Sequence, residues 1–351
     1  MMKTRTLVHS MRAQRRERLH SEAAANRALA CVQLGAQLFL WITFFGYDRA
    51  MQAVWQAALM GLAPLLLLWF VWQRGAGAFH LQSARYVLLA LLPCLMLDAA
   101  FLLYAFSGYI GQLIPQYPGW TGVWAAGGFA LITAFFSRTR GAAYGADLLK
   151  GLLVVLFLFA TVFLRQSSRA DRLWPILGRG FQNTFLTAVS GAGSLWGTAL
   201  LSALAEEEKP KGKTVFWALI PWGFSCIWAL WYGFLRPWAF GDVLSVAEKM
   251  MGFARHASSV TLYEMAGLLW MVLLPVSLAG ALAAGEKLAV SAFPKCPRIL
   301  PLLGVLLPGW LTLLIAPEKM PGILEAALPW RFAVSLASGI ALTVLGRRKE
   351  K

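Results

Sequence analysis

Ten separate apolar runs, each close to the length that crosses a bilayer, constrain this chain more than any other feature. They cover residues 29–47, 53–73, 86–107, 119–136, 146–164, 185–205, 214–235, 260–284, 299–316 and 328–346. A segment that spans lipid must pair its own backbone groups, so a run of roughly 20 mostly apolar residues reads as a transmembrane helix. The composition agrees: 59% of the 351 residues are hydrophobic and 14% are charged, against about 25% charged in soluble domains. The expected fold is therefore an all-α polytopic membrane protein. Sixteen Trp and 22 Phe suit lipid-facing and interfacial surface.

A net charge of +16 would point to nucleic acid in a soluble protein. Here the cations sort by side. With an even number of spans both termini share a side, and 22 of the 32 Lys and Arg fall on it or nearest to it. The positive-inside rule then places both termini in the cytoplasm and predicts no nucleic-acid partner. Residues 1–28 read as a basic cytoplasmic arm drawn to anionic lipid, without the cleavage pattern of a signal peptide. Residues 29–346 form a single transmembrane domain, and 347–351 a basic tail. One loop runs against the charge rule. The stretch 165–180 carries Arg165, Arg169, Arg172 and Arg179 on the outer side, either as interfacial arginines reaching lipid phosphates or as a contact for a partner or ligand.

Four scattered cysteines and four dispersed histidines offer neither a disulfide framework nor a metal spacing. No paired acid and base appears either. The chain is expected to need no metal or cofactor and to be no enzyme.

Ten spans divide into five plus five at the 165–180 loop, giving repeats 29–164 and 185–346. An odd number per half makes any repeat inverted, a common transporter plan in which corresponding helices break at mid-depth to bind substrate. The first helix of the second half holds Ser190, Gly191, Gly193 and Ser194 at mid-depth, with Trp196 close by. Its counterpart in the first half holds Gln33, Gly35 and Gln37. These are candidate ligand-binding positions. The competing reading is close packing, since Gly193 and Gly197 make a GxxxG face; Trp196 likewise suits core or lipid.

Two carboxylates add to the candidates. Asp98 lies deep in the third run, five residues after Pro93. A carboxylate there is costly and should face a cavity or pair with a cation. It would bind a ligand amine or a proton, or else serve a helix–helix hydrogen bond. Glu264, beside Tyr263, begins the eighth run and is either a gate or ligand contact, or an interfacial carboxylate favoured by the helix dipole. The charged stretch 205–213, "AEEEKPKGK", reads as a solvated turn or a subunit-docking site. "GAGSLWG" is not a phosphate loop, because no GK[ST] follows.

Three stretches together resemble the B subunits of spore-germination receptors. "LIPQYPGWTGVWAAGGFALITAFFSRTRGAAYGADLLKGLLVVLF" (113–157) is similar to their third-to-fifth helix region. "LWPILGRGFQNTFLTAVSGAGSLWGTALLSALAEEEKPKGK" (173–213) is similar to their external loop, sixth helix and lysine-rich turn. "AEKMMGFARHASSVTLYEMAGLLWMVLLPVSLAGALAAGEKLAVSAFP" (247–294) is similar to their eighth helix. That family lies in the amino acid–polyamine–organocation transporter superfamily. The resemblance implies a LeuT-like five-plus-five inverted repeat of about ten helices, with a pocket between helices one, three, six and eight for a small nutrient, an amino acid or sugar. It also implies an A-type membrane subunit and a C-type lipoprotein as partners, in the spore inner membrane. The alternative within the superfamily is an autonomous amino-acid transporter or exchanger. The sequence departs from the pattern in its long basic arm and in a first helix without a double-glycine break.

Overall fold

The computed structural model of the chain describes residues 62–75, 78, 81–113, 119–164, 182 and 261–350. All regular elements among them are helical: α1 (Leu62–Gly75), α2 (Arg85–Leu113), α3 (Gly119–Leu164), α4 (Thr261–Ala292), α5 (Ile299–Ile315) and α6 (Met320–Glu350). Short 3-10 turns at Gln82–Ala84 and Pro317–Lys319 precede α2 and α6.

The helices follow the apolar runs, with two instructive differences. At 46 residues, a straight α3 would measure about 69 Å, more than twice the hydrocarbon thickness of a bilayer. Arg138 breaks it, with φ 53 and ψ −142, a positive φ that residues other than glycine rarely adopt and that no α-helix contains. The runs 119–136 and 146–164 are thus its two limbs. The second difference is α6, which begins eight residues before the run at 328. Its added turns, "MPGILEAA", place Pro321 near the helix start, where a missing N–H costs nothing, and bury Leu324. Among the described residues four helices are long and apolar enough to cross a membrane. A fifth follows if α5 is joined to the segment Pro317–Leu324, which turns 112° away from it.

Helix α4 is central, packing on both α2 and α3, while α5 packs on α2, α3 and α4. In its membrane-spanning window 83% of residues are buried. Small residues allow this: Ala279, Ala281 and Ala284 are fully covered, and such residues let backbones approach where lipid provides no hydrophobic drive between helices. The tightest crossing is between α5 and α2. A Cβ on Gly309 would sit 2.6 Å from the Ala100 Cα, so only glycine permits that approach.

Helix α6 is peripheral by comparison, with 28% of its window buried. It lies on α1 and α2. Its C-terminal half lies close on α1: a Cβ on Gly339 would come within 2.5 Å of Val71 Cγ1, and the Thr343 hydroxyl, 2.9 Å from the Gly339 carbonyl of its own helix, is also 3.2 Å from the Val71 carbonyl.

Candidate functional site

The fold brings Asp98 of α2 against Arg331 of α6. Arg331 Nη2 and Asp98 Oδ1 form an ion pair whose side chains are 3% and 0% exposed. Each charge follows an internal proline, Pro93 five residues before Asp98 and Pro329 two residues before Arg331. A proline cannot donate to the carbonyl four residues back, so both helices have a weakened turn beside the pair. Ser335, one turn after Arg331, donates its hydroxyl to the Arg331 carbonyl. Cys94, buried and unbonded to another cysteine, sits one turn before Asp98 on the same helix face.

The pair is electrically balanced, and its two charges touch each other directly. Asp98 Oδ1 is taken by Arg331 Nη2, while Asp98 Oδ2 and Arg331 Nε are buried with no further partner among the described protein atoms. Elsewhere in the described core, Ser277 Oγ on α4 and Trp310 Nε1 on α5 are also buried and unbonded. Trp310 packs on Trp124 with ring centroids 4.4 Å apart.

A second carboxylate–arginine pair marks the bundle end where α4 finishes and α5 starts. Arg298 donates to Glu286 through Nε and, at 3.2 Å, through Nη2. Its guanidinium lies 5.6 Å from the Phe135 ring centroid. Hydrogen bonding to Glu286, partly opposed by desolvation, raises the Arg298 pKa above its ordinary value, so this arginine stays charged. Two further arginines, Arg74 over Phe70 at 4.1 Å and Arg85 over Tyr86 at 4.6 Å, stack on exposed rings at the end of α1 and the start of α2.

Of the positions singled out in the sequence, Asp98 is the one whose side chain the structure describes, and its partner is Arg331. Tyr263 and Glu264 lie on the first turn of α4, with side chains outside the description. Gln33, Gly35, Gln37, Ser190, Gly191, Gly193, Ser194 and Trp196 lie outside the described residues, as do the stretches 165–180 and 205–213. Among the described residues there is no cluster of three His, Cys, Asp or Glu fit to hold a metal ion.

Arg331 drew no role from the sequence, although a signal existed. It is a cation inside an apolar run, and the only charged residue deep in the third run is a carboxylate. A buried charge needs a partner, so Arg331 was one candidate among several cations in or beside the apolar runs, and the sequence held nothing to choose between them.

No family model matches the sequence, and no curated protein sequence matches it. Solved structures do match in fold. A mutant manganese transporter from Eremococcus coleocola aligns with a TM-score of 0.54 at 13% identity, over 93% of this chain and 79% of the other. Mhp1, a nucleobase-cation-symport-1 family transporter solved closed with bromovinylhydantoin bound, aligns with a TM-score of 0.56 at 11% identity, over 92% of each chain. Inward-facing Mhp1 aligns at 0.52 and 14% identity, over 89% of this chain and 76% of the other. At such identities the likeness concerns fold alone. The chain is an all-α polytopic membrane protein with the LeuT-like transporter fold.

Proposed function

We propose that this chain is the B-type membrane subunit of a spore nutrient-germinant receptor, which binds a small nutrient in a transporter-like pocket and passes the signal to its partners. The observation that carries this reading is the closure of the described interior to free charge. Both buried carboxylates among the described side chains, Asp98 and Glu286, already have an arginine partner. A cation-coupled transporter needs carboxylates or polar ligands that are open to its ion; a receptor needs only the pocket. The stretches 113–157, 173–213 and 247–294, which resemble such subunits, support the same reading, as does a transporter fold over most of the chain.

In this proposal the chain performs no covalent chemistry and uses no cofactor. It sits in the spore inner membrane with both termini in the cytoplasm, beside an A-type membrane subunit and a C-type lipoprotein. Anionic lipid contacts the basic arm and the arginines stacked at Phe70 and Tyr86. Co-expression with candidate A- and C-type subunits tests it. The tagged chain should capture both in detergent, and its deletion should abolish nutrient-triggered germination.

The manganese transporter and Mhp1, which share this fold, suggest a second reading, an autonomous secondary transporter. Proteoliposomes containing this chain alone distinguish the two. Sustained uptake of labelled amino acid, with no capture of partner subunits, would establish the transporter and remove the receptor.

A further inference from the structure

We infer that the bundle end where α4 turns into α5 holds an anionic phospholipid, with its phosphate on Lys295 and Arg298 and an acyl chain along the apolar faces of α5 and the first limb of α3. The site is separate from the Asp98–Arg331 pair and stands under either functional reading.

The polar part is built on a tight turn. Cys296 donates its N–H to the Phe293 carbonyl at 3.0 Å, and Leu300 donates to Pro297 at 3.1 Å. Pro294 takes the second position of the first turn, where its fixed φ belongs, so the exposed Lys295 stands at the tip. Arg298 follows on a fixed mount. Its Nε and Nη2 donate to the buried Glu286 carboxylate, which leaves Nη1 and the second Nη2 proton for another acceptor, and the guanidinium is partly exposed. The stretches 135–140 and 286–300 meet where Arg298 approaches the Phe135 ring, and they carry five cations against one carboxylate. At the other end of α5 the turn Pro317–Lys319 holds one charge of each sign. A cation surplus confined to one membrane edge attracts anionic headgroups.

The apolar part selects a lipid over a soluble acidic partner. Helix α5 and the first limb of α3 run antiparallel, since Arg298 meets Phe135 while Trp310 meets Trp124. Both expose apolar side chains at helical spacing, Leu300, Leu307 and Leu311 on α5 and Ile132 and Phe136 on α3. Each helix also has a notch, Gly304 on α5 and Gly128 on α3, where an added Cβ would meet nothing within 4 Å. Gly304 lies six residues from Arg298 and Gly128 seven from Phe135, so both notches sit about 9–10 Å from the cation end. That depth is inside the roughly 15 Å of hydrocarbon in one leaflet. A water-soluble acidic segment has no reason to enter it, whereas an acyl chain lies there once its headgroup rests on Lys295 and Arg298.

Native mass spectrometry of the purified full-length chain in detergent tests this, with dioleoyl phosphatidylglycerol as the probe and dioleoyl phosphatidylcholine as the comparison. The first phosphatidylglycerol retained should bind about tenfold tighter than the first phosphatidylcholine. Lys295→Glu reverses an exposed charge and leaves the Glu286–Arg298 pair intact. At about fivefold in affinity per cation near a membrane surface, this reversal should weaken phosphatidylglycerol about twentyfold. Lys319→Glu, the same reversal at the other end of α5, should leave it unchanged. The double variant Glu286→Gln/Arg298→Gln should weaken it about fivefold; if that variant does not fold, Lys295→Glu alone decides. The inference is overturned if the two lipids bind alike, if Lys295→Glu binds phosphatidylglycerol as the wild type does, or if Lys319→Glu weakens it equally. Displacement of the lipid by an equal concentration of inorganic phosphate or tetraglutamate also overturns it, because the acyl chain would then contribute nothing.

Discussion

Two arginine–carboxylate pairs of the same chemistry sit in opposite settings, Asp98–Arg331 inside the helix bundle and Glu286–Arg298 at its edge. The first joins α2 to α6 with side chains 0% and 3% exposed. The second joins the end of α4 to the start of α5, with Arg298 32% exposed and resting near the Phe135 ring. At the edge, water and a ring face share the solvation of the charge, and the geometry is free to form hydrogen bonds. In the interior each ion depends almost wholly on the other. The contrast teaches that a salt bridge's importance here is set by what surrounds it: the outer pair trims the fold, while the inner pair is a condition of it.

Breaking the inner pair on one side should have the largest effect. Arg331→Leu strands Asp98 in an apolar interior and should cost about 3–5 kcal/mol, seen as a sharp fall in folded yield and melting temperature in detergent. Removing both charges, as in Asp98→Asn/Arg331→Leu, should return stability to within about 2 kcal/mol of wild type. Were the double variant as unstable as the single one, the damage would lie in packing rather than in the stranded charge.

A packing lesion with no charge calibrates that result. Gly309→Ala drives a Cβ into the Ala100 backbone and should cost about 1–3 kcal/mol. Gly304→Ala, one turn away with open space around it, should be neutral or stabilising by about 1 kcal/mol through helix propensity. Equal melting temperatures for the two would contradict the close α2–α5 crossing.

The outer pair should yield the smallest change. Glu286 is itself buried, but its partner Arg298 is 32% exposed and can turn to water, so Glu286→Gln should cost about 1 kcal/mol, well below the loss from stranding Asp98. Because the Arg298 pKa is raised in the folded state, its contribution is present below the ordinary guanidinium pKa and is lost only as pH rises through the higher folded value. Melting from about pH 7 to pH 9 should therefore show no loss due to this arginine.

Much of the architecture was legible in the sequence because lipid imposes a one-dimensional rule. Each crossing must be apolar and self-paired, so the runs at 86–107, 119–136, 260–284 and 299–316 locate helices that the structure contains. The rule misplaces what is not apolar. The first turns of α6 are helical yet contain Pro321, Gly322 and Glu325, so hydropathy starts the span at 328. That offset put Arg331 near an expected membrane edge, where an arginine is unremarkable, when it is in fact the twelfth residue of a long helix. Asp98 was legible for the opposite reason: it falls in the middle of an unbroken apolar run, where a charge has nowhere to hide.

The sequence by itself determined that the chain spans a membrane as helices, roughly where each described helix lies, and that Asp98 must be answered by a cation or a cavity. Only the tertiary structure decided which. Hydropathy is a sum along the chain and holds no information about which helix faces which. The meeting of residues 98 and 331 depends on α6 lying across α2, a crossing set by glycines, prolines and side-chain shape over more than two hundred intervening residues.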